Sequence, residues 1–63
     1  MFKITGNTYQ AKAMLKEAGF EFDGAQKAWY GNEEALKELK RTATPTYSRA
    51  NAKAYAGLTI EEV

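Results

Sequence analysis

The sequence has no cysteine and no histidine, and among its 63 residues there is a single proline, a single serine and a single tryptophan. Without cysteine there are no disulfides, no thiolate nucleophile and no cysteine-based zinc cluster. Without histidine there is no imidazole to act as an acid–base catalyst near neutral pH. An excess of charge of either sign is also missing: nine Lys and Arg stand against eight Asp and Glu, a formal net charge of +1. General attraction to nucleic acid or to a membrane surface is therefore weak, and any anion binding has to come from local clustering. No apolar run approaches the ~20 residues a membrane span needs. The opening Met1-Phe2-Lys3-Ile4 lacks the charged region and long apolar stretch of a secretion signal. Cysteine-free composition suits a reducing compartment, so a cytoplasmic setting is expected, with no membrane association.

Bulky core residues are scarce as well. Of 28 apolar residues, 11 are Ala, and Leu, Ile, Val and Phe together number 10. A chain this short buries only roughly 60% of the surface its unfolded form exposes, and such cores yield about 3–5 kcal/mol. The expectation is one Ala-rich mini-domain leaning on its aromatic residues. A partner, or self-association into a homo-oligomer, would add stability.

What is present reads as short alternating and helical segments. Phe2 and Ile4 alternate with Lys3 and Thr5, the pattern of a half-buried strand. Asn7 and Gln10 have capping-box spacing, and Ala11, Met14, Leu15 and Ala18 fall at helical intervals. The spacing predicts a helix over 8–18, closed by Gly19. Phe20 and Phe22 alternate with Glu21 and Asp23, the run Asp23-Gly24-Ala25-Gln26 has turn chemistry, and Lys27 to Tyr30 returns as a further strand. Asn32 is placed to cap a helix over 33–41, with Glu33 and Glu34 in its first turn and Lys40 and Arg41 in its last. Within it, Glu33 is expected to pair with Lys37 and Glu38 with Arg41.

The segment Thr42-Ala43-Thr44-Pro45-Thr46 reads as a linker, and Ser48 as the cap of a short helix over 49–56. In Leu58–Val63, Thr59 and Glu62 have capping-box spacing at the end of the sequence. This predicts either a frayed tail or a segment ordered by something else. The expected fold is α+β: a βαββα core domain over 1–41, a three-stranded sheet with two helices, then linker, short helix and tail over 42–63. Its core would hold Phe2, Ile4, Leu15, Phe20, Phe22, Leu36, Leu39 and one of Trp29 and Tyr30.

Chemistry has few candidates. Ser48 has no histidine to activate it. Glu21 and Asp23 share a strand face, but the plainer reading is a solvated hairpin edge. The five glycines stand singly at element ends, so no phosphate-cradling loop exists. No catalytic residue, metal site or cofactor is expected. The basic residues are more informative. Lys12 and Lys16 are four apart on the first helix, as are Arg49 and Lys53 on the third, and neither pair has an acidic partner at helical spacing. Both pairs are candidates for phosphate contacts. Trp29 and Tyr30 point to opposite faces of their strand. The outward ring, beside Lys27 and Lys3, would suit stacking of an unpaired base or a protein-binding hot spot.

The run Lys16-Glu17-Ala18-Gly19-Phe20-Glu21-Phe22-Asp23-Gly24-Ala25-Gln26-Lys27-Ala28-Trp29-Tyr30, with the opening Ile4-Thr5-Gly6-Asn7-Thr8-Tyr9, resembles a small module of phage and mobile-element proteins. Similar segments occur in domains attached to conjugative primases and, more distantly, in the HARP domain of annealing helicases. The resemblance covers residues 2–41 and implies a βαββα fold and work on DNA. It departs from the pattern at Glu21 and Phe22, where these modules often carry a basic residue and Trp, and in having no Pro after Tyr30. Two expectations follow. One is a non-enzymatic module binding single-stranded or junction DNA through Lys12, Lys16, Lys27, Arg49 and Lys53, with Trp29 or Tyr30 stacking. The other is a protein-binding inhibitor or adaptor, such as an anti-defence protein that occupies a host protein.

Overall fold

The alternation at the start of the chain forms strand β1, Phe2–Gly6, with Ile4 fully buried and Lys3 and Thr5 half-buried on the opposite face. The computed structural model describes all residues, Met1–Val63. At Gly6 the chain turns with φ +89, and a Cβ there would lie 2.7 Å from the Gly57 carbonyl oxygen. Only glycine meets both demands at low cost. Directly after it, the Asn7 N–H donates to that Gly57 carbonyl at 3.0 Å, and the Thr8 N–H to the Gly6 carbonyl at 2.9 Å.

These bonds explain why the first helix is shorter than its pattern predicts. Helix α1 spans Lys12–Ala18, and its N-cap is Ala11, with no side-chain cap. The Asn7–Gln10 capping box does not form, because the amide of Asn7 is held by residue 57 instead. The far end agrees with expectation: Gly19 is left-handed at φ +103 and closes the helix.

Strands β2, Glu21–Asp23, and β3, Ala28–Gly31, form the expected hairpin, pairing Phe22 with Trp29. The Asp23 carboxylate accepts from the N–H groups of Ala25 and Gln26 at 3.0 and 3.3 Å, so it belongs to the turn. Helix α2, Glu33–Thr42, is capped by the Asn32 side chain, which accepts from Ala35 N–H at 2.8 Å. The Glu38–Arg41 pair forms, whereas Glu33 and Lys37 make no ion pair. Hydrogen bonds from Arg41 hold the Glu38 carboxyl, at the surface of α2, below the usual carboxylate range. The small stabilisation this gives is present above that range and is lost as pH falls through it. Helix α3, Arg49–Ala56, starts from the Ser48 cap, and the Asn51 side chain donates to the Thr42 carbonyl at 3.0 Å.

The end of the chain differs from expectation. Leu58–Glu62 is a strand, β4, paired antiparallel with β1 from Gly6↔Leu58 to Phe2↔Glu62. Leu58 and Ile60 alternate with Thr59 and Glu61, and that period matches β1, so the segment is ordered by the domain itself. The sheet therefore has four strands in the order β2-β3-β1-β4, rather than three, and every pairing is antiparallel. Ile4, Leu15, Trp29, Leu36, Leu39 and Ala54 share one buried cluster, which places the three helices against a single face of the sheet. Trp29 points into this core and the half-buried Tyr30 to the open face. Two core expectations need correction: Phe2 is only partly buried, and Phe22 is 54% exposed.

Two stability predictions follow. Truncation after Gly57 should abolish a cooperative thermal transition followed by circular dichroism, because it leaves β1 as an unprotected edge in a domain holding about 3–5 kcal/mol. An unchanged melting curve would show that β4 contributes nothing. Gly6→Ala should lower stability by at least ~1–2 kcal/mol in urea titration, from the left-handed backbone alone. Wild-type stability would contradict the close approach to Gly57.

Candidate functional site

Helical geometry puts Lys12 and Lys16 one turn apart, about 6 Å along the axis. Both are exposed, and neither makes an ion pair. Tyr9 lies in the turn before α1, is 80% exposed, and holds its ring 5.3 Å from the Lys12 Nζ. Tyr9, Lys12 and Lys16 are thus spaced three and four apart and project on one side.

Opposite them stands Phe22. It is on the helix-facing side of the sheet, as its pairing with Trp29 requires, but β2 is an edge strand. The seven residues of α1 reach only about 10 Å, and the space beside Phe22 is lined by no residue of α2 or α3. One side of the Phe22 ring rests on Trp29, with centroids 5.3 Å apart and planes tilted by 57°. The other side faces a groove of about 380 Å³ lined by Thr8, Tyr9, Lys12, Lys16, Phe22 and Trp29. Trp29, at 3% exposure, forms its floor, and Tyr9 and Phe22 are its accessible rings. The lining contains two ammonium groups, one hydroxyl on Thr8, one phenol and no carboxylate. An arrangement of this kind accommodates a flat apolar group beside an anion.

The structure brings together Lys12, Lys16 and Trp29 from the expected contact residues. It places the others elsewhere. Lys27 sits in the hairpin turn with φ +53, the one non-glycine residue in the left-handed region. Tyr30 lies on the open sheet face, in a row Glu21–Tyr30–Lys3–Glu61 across the four strands, where carboxylates outnumber the single lysine. Arg49 and Lys53 are on α3, which leads into β4 at the sheet edge opposite β2. Tyr9 and Phe22 are groove residues that are not among the expected contacts, Phe22 being expected in the core. Tyr9 carried a signal, its helical spacing to Lys12 and Lys16. Phe22 carried none, since alternation identifies a face but not how much of it is covered.

Phe22→Ala should leave the fold intact and uncover the indole beneath it. The expected readout is stronger quenching of Trp29 fluorescence by acrylamide with a shift of emission to longer wavelength. Unchanged quenching would mean that Phe22 does not shield the groove floor. Compared with known proteins, the chain matches no family model, no curated protein and no solved structure.

Proposed function

We propose that this is a non-enzymatic binding module of phage or mobile-element type whose groove seats single-stranded or junction DNA. The single observation that carries the reading is the convergence of two unpaired lysines, one helical turn apart, on a groove whose accessible walls are Tyr9 and Phe22. Lys12 and Lys16 contact successive phosphates. A base inserts between Tyr9 and Phe22 above the Trp29 floor, with stacking worth about 1–3 kcal/mol per base. The lining has no Asn, Gln, Arg, Asp or Glu to read base edges, and with its two lysines engaged by phosphates the binding depends on stacking more than on sequence. Lys27, Arg49 and Lys53 lie outside the groove and are at most peripheral contacts. The phage or mobile-element setting rests on the sequence resemblance.

A protein partner is the second reading. It is favoured by the net charge of only +1 together with the exposed Phe22, an aromatic anchor of the kind found at protein hot spots. Ionic strength separates the two. With two phosphate contacts, the logarithm of affinity for oligodeoxythymidylate should fall with the logarithm of salt at a slope of about −1.4. Amide shifts at Tyr9, Lys12, Lys16 and Phe22 should accompany binding. Lys12→Ala and Lys16→Ala should each reduce the slope by about half. Absence of shifts at low salt would remove the nucleic-acid reading and leave the groove to a protein.

A further inference from the structure

We infer that the groove receives the end of a DNA strand and does not let a continuous strand run through. This rests on the nucleic-acid reading above and specifies which part of the strand is held.

The groove is small, about 380 Å³, near the lower limit of ~300–1,000 Å³ for ligand pockets. It has room for one stacked nucleotide. Its cations line one side only, and they number two. What lies beyond them differs at the two ends. Toward the N-terminus of α1 the neighbours are Thr8, Tyr9 and Gln10, all uncharged. On the other side, over the edge of β2, lie Glu21 and Asp23, which flank Phe22 in the strand and face the open side of the sheet. Immediately across Phe22 is a second, shallower depression lined by Glu21, Phe22, Asp23, Gly24 and Tyr30, with two carboxylates and no cation. Phe22 is shared by the two depressions, so a backbone leaving the groove over β2 would carry its phosphates onto those carboxylates.

Like charges repel, and the two lysines that border this depression, Lys3 beyond Tyr30 and Lys27 in the hairpin turn, are not in its lining. A strand therefore has one favourable approach, along Thr8, Tyr9 and Lys12, and its last nucleotide is the one that stacks on Phe22. A covalently closed strand has no last nucleotide. To use the groove it must also leave it, and over β2 it meets Glu21 and Asp23.

The experiment compares linear and covalently closed circular 30-mer oligodeoxythymidylate at low salt, with affinity and stoichiometry read by calorimetry. Linear DNA should bind with a stoichiometry that does not change when the strand is lengthened, and the circle should bind at least tenfold more weakly. Equal affinity for the circle, with stoichiometry rising with length, would overturn end recognition and leave the nucleic-acid reading standing. Binding to neither would overturn both. Glu21→Lys tests the cause. Glu21 is exposed on an edge strand, so the substitution does not burden the core, and it should bring the circle to within a few-fold of the linear strand. An unchanged ratio would overturn the role assigned to the acidic edge.

Discussion

The pairing of β1 with both β3 and β4 is the constraint on which the rest of this molecule depends. It makes β1 an interior strand, so that Ile4 lies between Trp29 on one side and Ile60 on the other. A chain with three fully buried large side chains, Ile4, Leu15 and Leu39, has little other apolar material to invest. The closure is set at one point, where Gly6 lets the Gly57 carbonyl approach and accept the Asn7 amide. Moving Asn7 into that bond delays the start of α1 to Lys12, and it is from this short helix that the groove follows.

The groove is a consequence of scarcity. Helix α1 presents Tyr9, Lys12 and Lys16 on the side facing the uncovered edge, and Phe22 and Trp29 form a tilted aromatic pair beneath them. Exposing Phe22 forfeits apolar burial of roughly 25 cal/mol per Å² of uncovered surface. The exposed ring stands with Tyr9 as the accessible apolar wall of the groove. The opposite, helix-free face has a different character, with Glu21, Asp23 and Glu61 around Lys3 and Tyr30. The groove lining itself thus holds two cations and three aromatic rings with no carboxylate, although the net charge of the chain is close to zero.

Much of this was legible in the residues. Alternation located β1 and the hairpin, Asn32 and Ser48 announced their helices, and Gly19 marked the end of α1. These are local signals, each set by bonds within a few residues. What escaped depended on contacts distant in sequence. Leu58–Glu62 reads equally as a tail or a strand until β1 is present to pair with it. The Asn7 cap fails because its amide is drawn to residue 57. Phe22 and Phe20 look alike in sequence, yet Phe20 is buried against Gly31, where a Cβ would collide with its ring, and Phe22 stands at the rim. The candidate site was half visible: Lys12 and Lys16 stood out as unpaired, but the ring expected to stack from β3 is either the groove floor, Trp29, or on the other face, Tyr30.

The central claim is that a base lies against Tyr9 and Phe22 in this groove. Intermolecular nuclear Overhauser effects between the thymine methyl groups of a short oligodeoxythymidylate and protein ring protons test it most directly. The account predicts contacts to the rings of Tyr9 and Phe22 and none to Tyr30. Contacts confined to Tyr30 on the open sheet face, or no contacts in a saturated sample, would contradict it.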